Sequence, residues 1–123
     1  MMSETLYQHY GGFGTVSRIV IRLYDHILDD NDIGPFFEDV DMPRLIDHQT
    51  KFVASLMGGP AAFTDAHLRG AHRGLGIHNS HFDRLKELVA QTLEESGIAP
   101  DHVAELLEGI EARRQVLVEA EDA

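Results

Sequence analysis

The spacing of apolar side chains predicts four substantial helices. Between positions 13 and 29, apolar residues recur every three or four places, which is the period of a helix with one buried face. Similar patterns run over 41–57, over 79–95 and from 100 to about 117. No segment alternates long enough between apolar and polar residues to predict a strand. The expected fold is therefore all-α, with the helices in two antiparallel pairs.

The predicted helix ends coincide with residues that favour turns. The run Asp29–Asp32 stops the first long helix, and Gly58-Gly59-Pro60 stops the second. A short apolar segment, Ile33–Phe37, lies between them and is too brief for a full helix. The expected N-terminal caps are Asp39 or Asp41 for the second helix and Asn79 or Ser80 for the third.

Polar side chains interrupt two of the apolar faces. Tyr24 lies within the first, and His48 and Gln49 lie within the second. At helical spacing these two share a face with Leu45, Phe52 and Leu56. A buried polar group destabilises a fold unless it finds a partner. A cofactor carrying a small polar ligand would supply one, although Tyr24 alone also fits a core tyrosine whose hydroxyl reaches the rim.

Two further segments each have two interpretations. His72 ends a short predicted helical stretch, 65–72, that has few apolar residues with which to pack. It is either an ordinary histidine, exposed or bonded to a backbone carbonyl, or an axial metal ligand. Phe36-Phe37 either plugs the core or stacks on a flat aromatic ligand.

Composition narrows the function classes. The 123 residues contain no internal repeat, which predicts a single domain over 1–123. A net charge of −11 disfavours nucleic acid or an anionic membrane as a partner. The absence of cysteine excludes disulfides, iron–sulfur clusters and the Cys-x-x-Cys-His attachment of c-type haem. With no apolar leader and no apolar run of membrane length, the expected location is the cytoplasm.

These features together resemble the group I truncated haemoglobins over Leu6 to about Leu117. Gly11-Gly12, Gly58-Gly59-Pro60 and Gly74 with Gly76 match three glycine motifs of that family. The run from Phe36 to Met42 matches its CD corner. Its proximal region is matched by Ala71-His72, Ile77 and His81-Phe82.

The resemblance implies a two-over-two helical sandwich that encloses haem b. His72 would be the proximal iron ligand, Phe37 would pack on the porphyrin, and Tyr24 would donate a hydrogen bond to bound oxygen. The residues implied over the distal face are Leu45, His48 and Gln49. The residues expected to line the rest of the haem pocket are Phe36, Phe52, Leu56, Leu68, Ile77 and Phe82. Arg69 and Arg73 flank His72 and, by charge, could each meet a haem propionate.

Two departures from the family pattern affect the chemistry. Leu45 stands where many relatives place a polar residue, which leaves Tyr24 and Gln49 as the distal donors. Cyanobacterial relatives can bind iron through a histidine at the position of His48, so His48 is either a sixth ligand or a solvent-facing residue beside the propionates. No histidine follows His102, so the haem is expected to be non-covalent.

The implied function is reversible binding of oxygen, nitric oxide or carbon monoxide by a monomer or weak dimer. A second hypothesis is nitric oxide dioxygenation, with a separate reductase as partner. A third, from another class, is electron transfer or redox and gas sensing by a haem held between His72 and His48. A non-haem histidine–carboxylate site is disfavoured, because no Glu-x-x-His pair faces inward.

Overall fold

The computed structural model describes residues 4–59 and 76–118, and this part of the chain is helical as predicted. Its helices are α1 (Leu6–His9), α2 (Phe13–Asp29), a 3₁₀ helix (Gly34–Phe37), α3 (Met42–Leu56), α4 (Asn79–Glu95), α5 (Pro100–Glu111) and α6 (Arg114–Leu117). The helix α2 packs against α3, α4 and the 3₁₀ helix, and α4 packs against α5. The four long helices form the expected two-over-two sandwich.

The helix α2 supplies the centre of the core. Val16, Val20 and Ile27 are fully buried along one face of α2, as the sequence pattern predicts. Leu93 and Leu106 meet this face from α4 and α5. Burying each such side chain contributes about 1.5–3 kcal/mol, so this contact dominates the packing that holds the two helix pairs together.

The helix α3 buries a different face from the one that the sequence pattern indicates. Its buried residues are Thr50 and Ala54, and the Thr50 hydroxyl donates to the Ile46 carbonyl oxygen at 2.7 Å. Because that hydroxyl is paired, Thr50 can be buried at little cost. The predicted apolar face, centred on Leu45 and Phe52, is only half-buried and lies roughly 150° around the helix from Thr50 and Ala54. The helix α3 therefore has a core face and a second, partly open apolar face.

The predicted N-terminal cap of α3 is confirmed, and the predicted cap of α4 is wrong. Asp41 caps α3 by accepting from the Arg44 amide at 3.2 Å. The cap of α4 is His78 rather than Asn79 or Ser80, and its amide donates to Nδ1 of His81 at 3.0 Å.

The last predicted helix is interrupted between α5 and α6. The side chain of Arg113 donates from Nη1 to the Gly109 carbonyl, the acceptor that the Arg113 amide would use in a continuous helix. That amide donates to Ile110 instead, at 2.9 Å, which tightens the turn. The predicted helical stretch 65–72 lies outside the described residues.

The short helix α1 holds the end of α3 in place. The Tyr7 amide donates to the Met57 carbonyl at 2.9 Å, and Gly59 lies beneath the Tyr7 ring. A Cβ at position 59 would come within 2.9 Å of both the Ala54 carbonyl oxygen and this ring. Glycine is therefore required at that position for α1 and α3 to approach as closely as they do.

Candidate functional site

Tyr24 is a buried side chain whose hydroxyl bonds to no described residue. The side chain is 7% exposed on α2, and its ring meets the ring of Phe37 edge to face, with centroids 5.5 Å apart. Within residues 4–59 and 76–118 its hydroxyl makes no hydrogen bond. Burial raises the pKa of Tyr24 well above its usual value, so the hydroxyl stays protonated as a donor. Such an orphaned group fits a site in which a bound molecule accepts the hydrogen bond.

Phe37 and Phe36 reach the site because Asp30 fixes the turn that precedes them. The Asp30 carboxylate accepts from the amides of Asp32 and Ile33, each at 3.0 Å, and from Nε of Arg84 at 2.7 Å. Its side chain is only 6% exposed. Burial acts to raise the pKa of Asp30, but the bonds from Arg84 and the two amides outweigh it and leave the pKa lowered. A charged, triply bonded carboxylate thus anchors the 3₁₀ helix.

The open face of α3 brings the predicted distal residues together. Leu45 and Gln49 lie one turn apart on this face, and both are half-buried. Phe52 and Leu56 extend the same face toward the end of the helix and are also half-buried. His48 lies at the edge of the face, roughly 60° around the helix from Leu45, and is exposed. The face is therefore mostly apolar, with one amide within it and one imidazole at its border.

Two residues that the sequence analysis did not assign to the site adjoin these groups. The ring of His81 meets Phe36 edge to face, with centroids 4.9 Å apart, and so links α4 to the 3₁₀ helix. The guanidinium of Arg113 lies over the Phe52 ring, 5.6 Å from its centroid. Nε of Arg113 is buried without a partner in the described part of the chain. Both contacts join segments distant in sequence, and no local pattern indicates them.

The start of α4 supplies two of the predicted pocket residues. Phe82 is 2% exposed and is covered by the guanidinium of Arg114, 4.6 Å from the ring centroid. Arg114 in turn bonds to Asp83 and Glu111 and to the side chain of Asn79. Ile77 is half-buried just before the helix.

An apolar cavity lies between the four long helices. Its volume is about 40 Å³, and its walls include Val20, Val53, Leu56 and Leu106. Thr92 is its one hydroxyl-bearing wall residue, and this hydroxyl donates to the Leu88 carbonyl at 2.7 Å. With its polar group paired, the cavity offers apolar walls to a small molecule.

Four predicted site residues lie outside the described part of the chain, namely His72, Leu68, Arg69 and Arg73. Among the residues that the structure describes, no three histidine or carboxylate side chains are placed to hold a metal ion. None of the described helices has the length and apolar character needed to cross a membrane.

Comparison with known proteins identifies relatives that are all globins. A bacterial-like globin family model matches residues 5–118. A group 1 truncated haemoglobin of Tetrahymena pyriformis is 32% identical over 112 residues, which covers 91% of this chain and 93% of that protein. The group 1 truncated haemoglobin GlbN of Synechocystis is 36% identical over 107 residues, which covers 84% of this chain and 86% of that protein.

Solved structures show the same architecture. The ferric truncated haemoglobin from Tetrahymena pyriformis superimposes with a TM-score of 0.86 at 31% identity, covering 95% of this chain and 100% of that one. A 2/2 haemoglobin from Synechococcus, with covalently attached haem, superimposes with a TM-score of 0.81 at 29% identity, covering 93% of this chain and 98% of that one.

Proposed function

Because this chain belongs to the group I truncated haemoglobins, a globin family that binds diatomic gases, we propose that it is a haem b protein that binds oxygen reversibly. Nitric oxide and carbon monoxide are the other expected ligands. The observation that carries the proposal is the unpaired hydroxyl of the buried side chain of Tyr24, beside Phe37. A small ligand with partial negative charge would accept its hydrogen bond.

Most of the residues proposed to hold haem are apolar, as a porphyrin requires. Phe36 and Phe37 from the 3₁₀ helix, Phe52 and Leu56 from α3, and Phe82 from α4 are all buried or half-buried. We assign the proximal ligand to His72 and assign Leu68, Ile77, Arg69 and Arg73 to the surrounding pocket. When bound, haem supplies an iron with one coordination position for a gas. We expect the haem to be non-covalent, because no histidine follows His102. The Synechococcus neighbour, by comparison, carries covalently attached haem.

The spacing of the distal residues supports this assignment. Variants of the Tetrahymena pyriformis protein replace one tyrosine with phenylalanine and two glutamines, in turn, with glutamate. Those three positions are separated by 21 and 4 residues, the same intervals that separate positions 24, 45 and 49 here. Tyr24 and Gln49 then take the places of the tyrosine and one glutamine, and Leu45 takes the place of the other. This chain therefore has a leucine where that protein has one of its two glutamines.

Nitric oxide dioxygenation is the second candidate function. It consumes one nitric oxide, one dioxygen and one electron to give one nitrate, so two gases must meet in the protein. The apolar cavity of about 40 Å³ among α2, α3, α4 and α5 is large enough to hold a diatomic molecule, which favours this candidate. The electron requires a separate reductase. The direct measurement is nitrate formed per haem when a reductant is present.

The first test is the absorption spectrum of the purified protein, ferric and dithionite-reduced, with and without carbon monoxide. We expect a Soret band and a five-coordinate ferrous state that carbon monoxide converts. A six-coordinate, low-spin ferrous state that reverts in His48→Ala would instead place His48 on the iron and favour electron transfer or sensing. The His48 side chain, exposed at the edge of the α3 face, is the group that this alternative requires to move.

A paired substitution tests the proximal assignment. His72→Ala should abolish stable haem binding, because the iron loses its protein ligand. His67→Ala, five residues away in sequence, should leave haem occupancy unchanged. Full occupancy and an unaltered ferrous spectrum in His72→Ala would overturn the assignment. Failure of the wild-type chain to bind added haem would overturn the proposed function itself.

A further inference from the structure

The outer side of α2 carries an apolar stripe that is about half exposed to solvent. Phe13, Ile21 and Leu28 are 45%, 45% and 47% exposed. They lie within roughly 80° of one another around the helix and span roughly 22 Å along it. We call these three residues the outer α2 stripe. Among the described residues, the other exposed large apolar side chain is Val40, which lies outside α2.

The charges beside the stripe balance, in contrast to the rest of the chain. Arg18 and Arg22 are exposed on α2, and so are Asp25 and Asp29. These four formal charges cancel on one helix of a protein whose net charge is −11. Asp25 makes no ion pair within the described part of the chain, and Arg18 bonds only to the Thr15 hydroxyl, at 3.3 Å. This edge of the molecule is therefore a place where a second, equally acidic molecule can approach.

We propose that the outer α2 stripe is the contact between two copies of this chain, packed antiparallel about a two-fold axis at Ile21. A two-fold axis makes each contact occur twice and brings the same edge of both helices together. With Ile21 against itself, Leu28 lies opposite Gly14 of the second copy, where there is no side chain to obstruct it. Arg18 then lies beside Asp25 of the second copy, because the two positions share an edge within roughly 20°.

The pattern favours a second copy over an unrelated partner. An antiparallel pair needs opposite charges equally far on either side of its centre, and Arg18 and Asp25 stand three and four residues from Ile21. One helix face buries much less than the roughly 800 Å² per partner of a standard interface, and the net charge of both copies repels. The dimer is accordingly weak, with a dissociation constant on the order of 10⁻⁴ M.

Sedimentation equilibrium of the purified full chain, from about 10⁻⁵ to about 10⁻³ M, tests the contact. The wild type should pass from monomer to dimer across this range. Ile21→Glu should remain monomeric at every concentration, because it places two carboxylates at the axis. Val40→Glu is the matched control, since it adds the same charge at a comparably exposed apolar residue, and it should dimerise like the wild type.

A charge exchange identifies the partner as a second copy. Arg18→Asp and Asp25→Arg should each weaken dimerisation about tenfold or more, because like charges then face each other. The double variant should restore it, which would not follow if either residue acted within its own chain. A wild type that stays monomeric would overturn the proposal, and so would a double variant as weak as the single ones. Circular dichroism confirms that each variant is folded.

Discussion

The hydroxyls of the described buried residues are of two kinds, and the difference supports the proposed site. Thr50 and Thr92 are each 1% exposed, and each donates to the backbone carbonyl four residues earlier at 2.7 Å. The Tyr24 hydroxyl stands too far from its own backbone to do the same. Among the buried residues that the structure describes, Tyr24 is thus the one whose hydroxyl is left for a ligand.

Replacing Tyr24 with phenylalanine isolates this hydroxyl. Tyr24→Phe keeps the ring against Phe37 and removes only the donor, so oxygen dissociation should accelerate about tenfold for each 1.4 kcal/mol of hydrogen bonding lost. The free energy of unfolding without ligand should change little, because the hydroxyl makes no hydrogen bond to a described residue that could be lost. Stopped-flow measurement of oxygen release checks the first effect. Tyr7→Phe, on α1, is the control, and equal off-rates in the two variants would exclude Tyr24 as the donor.

The sequence predicts the residues of this site unevenly. Tyr24, Phe37 and Gln49 are identified by their places within apolar patterns and by the family resemblance. His81 and Arg113 are missed, because a ring contact with Phe36 and a position over Phe52 depend on how distant helices meet. The exposure of His48 also depends on tertiary structure, since helical spacing alone places it only near the edge of a face.

At the scale of elements, the 3₁₀ helix depends on an ion pair between distant segments. The run Asp29–Asp32 predicts a turn, and the structure confirms one. The partner of Asp30, however, is Arg84, 54 residues away on α4, and local sequence does not indicate it. This bond ties the turn that carries Phe36 and Phe37 to the opposite helix pair, so the aromatic wall of the site is set by tertiary structure.

Removing the Asp30 carboxylate should therefore loosen the site as well as destabilise the fold. Asp30→Ala breaks two bonds to backbone amides and one to Arg84, and we expect a loss of about 2 kcal/mol in the free energy of unfolding. Urea denaturation measures this loss, and haem transfer to apomyoglobin measures retention, which should fall. Asp32→Ala is the control, because Asp32 is exposed and its side chain has no described partner. Equal stability of the two variants would contradict the anchoring role.

The two faces of α3 show why the position of a helix is easier to predict than the face that it buries in the core. Apolar spacing correctly places the helix, and Asp41 correctly begins it. The same spacing cannot distinguish a face that packs on protein from one that packs on a ligand, because both are apolar. The core face contains Thr50, whose hydroxyl is satisfied within its own helix, so a face that carries a hydroxyl can still be the one that is buried.

At the scale of the whole molecule, the few basic side chains pair with particular carboxylates. There are 10 basic residues against 21 acidic ones. Hydrogen bonds from Arg114 and Lys86 lower the pKa of Glu111 to about 2, and a hydrogen bond from His26 chiefly lowers the pKa of Glu95. These pairs join α5 to α4 and to α6, and α2 to α4, so the carboxylates of Glu111 and Glu95 link helices.

The pH dependence of stability should reveal the Glu111 cluster. Because the folded pKa of Glu111 is about 2 and its ordinary value is 4.5, its contribution is complete above about 4.5 and is lost as the pH falls through about 2. Glu111→Gln should therefore melt below the wild type at neutral pH, and the two melting temperatures should converge in acid. Comparing variants cancels any acid-induced loss of haem, which both share. Glu108→Gln, one turn earlier and exposed, should parallel the wild type at every pH. If Glu111→Gln instead melts below the wild type by the same amount from neutral pH to about 2, the carboxylate acts by packing. Only a charge held by Arg114 and Lys86 makes this difference in melting temperature depend on pH.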